Sequence, residues 1–497
     1  MRSAAILKAN HPPSSRLGDV VETTIPDRLD RLPWSRWHWF VVIALGVTWI
    51  LDGLEVTLAG AISGVLQKPE ALSLTDAEVG MSATFYLAGN VFGALVFGFL
   101  TDRFGRKRLF SLTLLVYLLG TALSASSWNF VSFALFRFLT GSGIGGEYAA
   151  INSAIDELIP ARIRGRIDIT INATYWIGAA LGAVGTYLLL NPIVIPTSIG
   201  WRAVFVLGAL LGSVIIIFRH WVPESPRWLT IHGRKEDADK IVKDIEQQID
   251  AHQRDWPDSS LKKLTVRVRS HTPLKEIWET IFRRHRARAL LGFVLMIAQA
   301  FFFNAIFFTY SLVLVRFYKI APELTALYLI PFALGNVLGP LLLGPLFDKV
   351  GRKPMIVLTY AAAGLFLAVS GWLFQAELLT AQTQTLAWSA IFFVASCAAS
   401  SAYLTTSEIF PLEIRGLAIA LFYSAGTLCG GMIAPTIFSL LIQTGSRDAL
   451  LLGYLSAAFL MIGAAVAEAI LGVKAERRSL EDVASPLSQA GRGGDEV

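Results

Sequence analysis

Residues 98–107 read Gly98-Phe99-Leu100-Thr101-Asp102-Arg103-Phe104-Gly105-Arg106-Lys107, and residues 344–353 read Gly344-Pro345-Leu346-Phe347-Asp348-Lys349-Val350-Gly351-Arg352-Lys353. The glycines, the aspartate and the Arg-Lys pair recur at an offset of 246. A second motif, Glu157, Pro160, Arg164 and Gly165, returns as Glu408, Pro411, Arg415 and Gly416 at an offset of 251. Two motifs repeated at nearly one offset imply a chain built from two related halves.

Around these motifs the 497 residues are 54% hydrophobic and only 16% charged, with a mean hydropathy of +0.55. An ordinary soluble domain carries about 25% charged residues, so the apolar excess must face lipid. Twelve apolar stretches are each long enough to cross about 30 Å of hydrocarbon as a helix. They run over 38–66, 80–101, 109–127, 129–154, 168–191, 201–221, 289–317, 324–347, 354–375, 385–410, 415–442 and 448–472. The predicted fold is an all-α membrane protein, with twelve transmembrane helices in two pseudo-symmetric six-helix bundles.

Basic clusters occupy every second connection: Arg103, Arg106, Lys107 and Arg108; Arg162, Arg164 and Arg166; the segment 222–288; and Lys349, Arg352 and Lys353. The positive-inside rule puts those loops and both termini in the cytoplasm, as an even number of spans requires. The formal net charge of +6 is spent on this orientation rather than on nucleic acid. Residues 1–36 lack the features of a signal peptide and are expected to be a cytosolic tail. Residues 37–221 and 289–473 are then the two bundles. Residues 222–288 form a cytosolic linker with surface helices, including a charged stretch from Arg234 to Gln253, and 474–497 a second tail, disordered after Arg478. Cys397 and Cys429 fall inside apolar spans and are read as small buried hydrophobes.

These residues resemble the major facilitator superfamily. Gly98 to Lys107 matches its loop signature, and Arg137, Gly141, Gly143 and Gly145 match its helix 4 pattern. Glu157 to Gly165, with Pro223, Glu224, Ser225, Pro226, Arg227 and Trp228, is similar to the sugar-porter and organic-ion branch, which includes aromatic-acid symporters and synaptic-vesicle-protein-like chains. The resemblance covers nearly the whole chain and implies the major facilitator fold.

In physical terms, Asp102 beside a helix end and a run of guanidinium groups can form charge-assisted bonds across the cytoplasmic face and latch one state. The expected gate comprises Asp102, Arg103, Arg106, Glu157, Arg164, Glu224 and Arg227, with Asp348, Arg352, Glu408 and Arg415 in the second half. These bonds would break as the halves rock apart. Glu147, near the cytoplasmic end of its helix, is assigned to the same gate.

Asp52, Glu55, Arg137 and Glu147 lie inside apolar spans, where a central charge costs about 2.5–3.5 kcal/mol even on insertion scales. Helical rise puts Glu55 about 24 Å above the entry of span 1, and Arg137 about 12 Å from the outer boundary, so the two long side chains are expected to pair. The resemblance to proton-coupled sugar porters implies that Glu55 takes the proton. Asp52, one turn away, is the rival carrier, because Asp52-Gly53-Leu54-Glu55 is similar to the acid-Gly-x-acid run of aromatic-acid symporters.

Gln299, Asn304 and Ala305 are similar to the sugar-contacting helix 7 motif of sugar porters. The match breaks at Ala298 and at Phe301 and Phe302, and span 10 lacks the usual Gly-Pro and tryptophan. Phenylalanine in place of small polar residues favours a flatter, more apolar ligand. With Gln299, Asn304 and Phe303, the expected cavity residues are Tyr86, Asn172, Tyr175, Trp176, Asn336, Tyr403 and Tyr423. The Asn172-Ala173-Thr174 sequon falls in a membrane span and is not read as a glycosylation site.

The expectation is a secondary active transporter of the cell (plasma or inner) membrane, importing a small organic metabolite with protons by alternating access. An organic or aromatic acid ranks ahead of a sugar. Sugar symport, export by proton antiport and a non-transporting nutrient sensor are the alternatives. No nucleophile-and-base set or metal-ligand spacing suggests an enzyme, and no cofactor or metal is expected. The partners are a small-molecule substrate, protons and the lipid bilayer, with no nucleic acid and a monomeric chain.

Overall fold

The structure is a computed structural model that describes residues 16–190, 195–218, 221–249, 260–307, 309–321 and 324–490. It opens with strand β1 (Val20–Thr23) and helix α1 (Ile25–Arg31). The first half follows as α2 (Arg36–Ala61), the short α3 (Ser63–Leu66), α4 (Asp76–Phe104), α5 (Arg106–Ala125), α6 (Phe130–Leu158), α7 (Arg164–Leu189) and α8 (Thr197–Phe218). The linker contains α9 (Pro226–Ile231), α10 (Lys235–Gln248), strand β2 (Leu264–Arg267) and α11 (Leu274–Glu279). The second half is α12 (Arg286–Phe307), α13 (Tyr310–Tyr318), α14 (Thr325–Lys349), α15 (Arg352–Gln375), α16 (Ala381–Glu408), α17 (Arg415–Gly426), α18 (Ala434–Gln443) and α19 (Arg447–Leu471). A last helical turn, α20 (Leu480–Val483), precedes the docked residues up to 490.

Among the described residues, eleven segments are long and apolar enough to cross a membrane. The twelfth crossing helix, α6, has 29 residues and carries Arg137, Glu147, Asp156 and Glu157. It tolerates these charges because it is packed between α4 and α5 rather than facing lipid. The outer surface is apolar, with Leu115, Leu210, Phe459 and Ile470 all more than half exposed. This is the inside-out distribution expected where lipid replaces water.

Local chemistry starts the helices. Thr75 with Glu78, Asn129 with Ser132, and Thr380 with Thr383 form reciprocal capping boxes that begin α4, α6 and α16. Gly105 and Gly351 adopt φ of 97° and 122°, conformations that other residues rarely take, and turn the chain between α4 and α5 and between α14 and α15. Their repetition in the two halves explains the glycine of the repeated loop motif.

Two expected spans are interrupted. Span 7 is divided between α12 and α13, and span 11 passes from α17 through a π-helical turn, Thr427–Ile433, into α18. The two expected tails also differ from the sequence reading. Residues Val20–Thr23 pair antiparallel with Leu264–Arg267 of the linker, and Arg28 reaches Asp239 and Glu246 on α10 at 3.0 and 2.6 Å. At the other end, the segment expected to be disordered after Arg478 is docked. The backbone N–H groups of Leu487 and Ser488 and the Ser488 hydroxyl all donate to the Glu413 carboxylate. Both segments lie on one end of the bundle, here the linker face. Those parts of the expected tails in residues 1–15 and 491–497 lie outside the described residues.

The halves meet along α7 against α14 and α4 against α17. These contacts are equivalent under the internal repeat, since each pairs the helix after one motif with the helix before the other.

Candidate functional site

Between the halves lies a cavity of about 230 Å³. Its wall combines Trp49, Tyr86, Asn90, Tyr148, Asn172, Tyr175 and Trp176 of the first half with Gln299, Phe303, Asn304, Phe307, Ser396, Ser400, Tyr403, Tyr423 and Thr427 of the second. All the expected cavity residues are there except Asn336. Asn336 is fully buried and donates to the Phe332 carbonyl of its own helix at 2.9 Å, while its backbone carbonyl accepts from Ser396 Oγ at 2.8 Å. It holds α14 against α16 instead.

The wall is aromatic across the interface. Tyr148 stacks on Tyr423 with ring centres 4.4 Å apart, and Trp49 meets Tyr148 edge-on at 4.7 Å. Trp176 lies 5.8 Å from Phe303 and 4.9 Å from Phe307. Polar groups are few and specific: Tyr423 OH donates to Asn90 Oδ1 at 3.0 Å, and Asn172 and Asn304 each donate one amide N–H to a carbonyl one turn earlier. Asn172 Oδ1 has no protein donor among the described residues. No described residue lining the cavity is ionisable as Asp, Glu, Lys, Arg or His. Sequence reading missed Trp49, Asn90, Tyr148, Phe307, Ser396, Ser400 and Thr427; an amide inside an apolar span was the available signal for Asn90.

Glu55 and Arg137 meet behind this wall. Arg137 Nη1 donates to Glu55 Oε1 at 2.5 Å, with both residues no more than 5% exposed. The same guanidinium lies 4.5 Å from the centre of the ring of Tyr86, itself a residue of the cavity wall, and 5.5 Å from Phe205. Asp52 is 2% exposed, and its Oδ1 has no donor among the described residues. Neither acid is among the residues that line the cavity, although Trp49 and Val56 of the same helix are. Close helix contact sets the position of this helix. A Cβ on Gly53 would lie 1.9 Å from the Tyr175 carbonyl oxygen, and one on Gly178 would lie 1.7 Å from that of Ile50. Only glycine allows α2 and α7 to approach so closely.

At the linker face the two repeated motifs cross-brace the halves. Asp102 accepts the backbone N–H groups of Gly416 and Leu417 at 3.0 Å each, at the start of α17. Its counterpart Asp348 accepts those of Gly165 and Arg166 at 3.1 and 2.9 Å, at the start of α7. Each carboxylate therefore neutralises the positive end of a helix from the other half. Arg106 pairs with Glu157 at 3.0 Å and Arg352 with Glu408 at 3.0 Å, while Arg415 reaches Glu157 at 3.3 Å and Arg164 reaches Glu408 at 3.6 Å.

Linker residues reinforce this layer. Glu224 accepts from the backbone of Arg106 at 2.8 Å and of Ser225 at 3.0 Å. Burial pushes its carboxyl above the usual range, and those backbone donors and the Arg106 charge pull it partly back. Arg227 lies 3.2 Å from both Asp30 and Glu481, so it joins the amino-terminal helix to the carboxy-terminal turn. Two expected gate residues stand apart. Arg103 is exposed, packs against Phe104 and makes no ion pair among the described residues. Glu147 is fully buried ten residues before Glu157 in α6, about 15 Å along the helix and away from the gate layer.

Comparison with known proteins fits this geometry. Residues 42–483 match the family model described as "Sugar (and other) transporter". The chain is 26% identical over 459 residues to the niacin transporter NiaP of Acinetobacter baylyi, covering 92% of this chain and 98% of that protein. It is 28% identical over 397 residues to the 4-hydroxybenzoate transporter PcaK of the same organism, covering 78% and 81%. The structure of the proton:xylose symporter XylE bound to 6-bromo-6-deoxy-D-glucose superposes with a TM-score of 0.74 at 19% identity, covering 90% of this chain and 98% of that one, a likeness of fold. With its duplicated bundles, cross-braced linker face and central cavity, the chain belongs to the sugar (and other) transporter family of the major facilitator superfamily and is a multi-pass membrane transporter, not an enzyme.

Proposed function

We propose that the protein imports a small aromatic carboxylic acid together with a proton, by alternating access, with the linker face in the cytoplasm. The observation that carries this reading is the Glu55 to Arg137 pair stacked behind Tyr86, beside an aromatic cavity with no Asp, Glu, Lys, Arg or His among its described lining residues. Flat aromatic walls suit a planar ring, and the amides of Asn172, Gln299 and Asn304 suit its polar substituents. The basic loops at the linker face support its cytoplasmic placement.

A carboxylate entering this cavity meets no positive charge on the wall itself. Protonation of Glu55 supplies one indirectly, because it leaves Arg137 uncompensated one ring away in a low-dielectric setting. Proton and anion then load together with little net charge buried, and they leave together when Arg137 pairs with Glu55 again. Asp52 is the reserve acceptor on the same helix. The cross-braced linker face belongs to the state closed toward the cytoplasm, and import requires those braces to part.

The test is uptake by proteoliposomes of radiolabelled niacin, 4-hydroxybenzoate and xylose, with and without an inward proton gradient. Accumulation of an aromatic acid driven by the gradient supports the reading. Accumulation of xylose alone favours the second reading, sugar symport, for which Gln299 and Asn304 on the cavity wall speak. Expulsion of the ligand under the same gradient would assign export by antiport.

A further inference from the structure

The two gate layers are built on one plan but do not carry the same charge. Around the start of α17, Asp102 and Glu157 meet Arg106 and Arg415. Around the start of α7, Asp348 and Glu408 meet Arg352 and Arg164. Two further acids lie here: Asp168 faces Arg352 and Arg164, and Asp156 faces Arg164 and, from the other layer, Arg415. At the repeat offset of 251 their counterparts are Ser407 and Ile419. Neither carboxyl is matched by the internal symmetry, and Asp168 faces the bases of the second layer alone.

Asp168 is the more isolated of these two. It is 0% exposed, and neither carboxyl oxygen has a hydrogen-bond partner among the described residues. Its charged neighbours are Asp156 on α6, Glu408 on α16, Arg352 on α15 and Arg164 on its own helix. On α14, Asp348 is already committed to Arg352 and to the backbone of α7. The packed helix α2 carries His38 near its linker end and Asp52 and Glu55 further along. Arg164 and Arg352 are each engaged by other carboxylates, so neither compensates Asp168 fully. A buried anion without donors costs several kcal/mol, whereas a neutral carboxyl does not.

Position adds the second observation. Asn172, one turn along α7, lies on the cavity wall and donates to the Asp168 carbonyl at 2.9 Å. Arg164, one turn the other way, is in the gate. Asp168 thus stands about 6 Å along the helix from each, between cavity and linker face.

We propose that Asp168 is a second proton-carrying group: it holds a proton while the linker face is closed and releases it to the linker-side solution when the halves part. Closing takes one proton from that solution onto the carboxyl, and opening returns it. Acid on the linker side favours the closed gate, and each cycle senses that pH independently of any proton carried on Glu55.

The experiment uses the full chain with Cys397→Ala and Cys429→Ala, spin labels at Arg108→Cys and Lys349→Cys, and double electron–electron resonance distances measured from acid to alkaline pH. Both labelled positions are exposed, one in each half. Linkage of one proton predicts that the open-to-closed ratio rises by up to about tenfold per pH unit. The slope is expected to vanish in Asp168→Asn, and in Asp168→Ser should the first variant misfold, and to persist in Glu55→Gln. Infrared spectra of the closed state should lose a protonated-carboxyl band in Asp168→Asn. A ratio independent of pH in the parent, or an unchanged slope in Asp168→Asn, overturns the proposal. A slope lost in Glu55→Gln but kept in Asp168→Asn overturns it while leaving the Glu55 reading intact.

Discussion

Arg137 donates to Glu55 at 2.5 Å with both side chains buried, and the same guanidinium covers the face of Tyr86, a residue of the cavity wall. The pair is therefore insulated from the cavity by one aromatic ring and yet coupled to it electrostatically. Removing either partner leaves a buried uncompensated charge, a loss of roughly 3–5 kcal/mol. A proton can do reversibly what such a substitution does permanently.

Asp102→Ala removes the acceptor for the Gly416 and Leu417 N–H groups. Each hydrogen bond to a charged group contributes about 1.5–3 kcal/mol. The variant is expected to shift the chain toward the state open at the linker face by tenfold or more, about 1.4 kcal/mol. Maleimide labelling of a cysteine placed at the α4 to α17 contact should rise accordingly; unchanged labelling would remove Asp102 from the gate.

His232 gives the linker a pH dependence of defined sign. Burial, with smaller contributions from the Arg106 and Arg234 charges, lowers its pKa from 6.5 to about 4, against a partial opposing effect of its bond to the Trp228 carbonyl. The ring stacks on Trp228 with centres 4.0 Å apart. The unfolded histidine takes up a proton below about 6.5 and the folded one only below about 4, so docking weakens as pH falls through that window, by about 3 kcal/mol in all. Thermal unfolding at pH 7 and pH 5 should show a larger drop for the parent than for His232→Gln. Equal drops would contradict this assignment.

Glu413→Ala should release the carboxy-terminal segment. Three donors from Leu487 and Ser488 converge on this one carboxylate, and the Arg267 N–H donates to the Ser488 carbonyl at 2.6 Å. Limited proteolysis is expected to cut the variant after Arg478 several times faster than the parent. Equal rates would mean that the segment is held elsewhere.

The architecture was legible because lipid leaves a strong record: long apolar runs, basic loops and a motif repeated around each sharp turn. Buried charge exposed Glu55 and Arg137 for the same reason, since nothing but function or pairing keeps such groups in a span. The cavity was harder to read. A crossing helix is apolar toward lipid and toward its neighbours alike, so Asn336 and Asn172 look equivalent in sequence, although one braces two helices and the other faces the cavity. Trp49 and Tyr148 gave no signal among apolar neighbours. The docking of Ser488 on Glu413 depends on contacts across 75 residues that no local pattern records. The interruption of span 11 remained hidden because composition does not distinguish a π-helical turn from the α-helix around it.

The central claim is that proton binding at Glu55 drives accumulation without being needed for ligand movement itself. The most direct measurement compares counterflow exchange with gradient-driven uptake of the same aromatic acid, in parent and Glu55→Gln proteoliposomes. The account predicts that Glu55→Gln keeps exchange within a few fold of the parent and accumulates nothing above equilibrium. Accumulation at the parent level in Glu55→Gln would contradict it and move the transported proton to another acid, with Asp52 the first to replace.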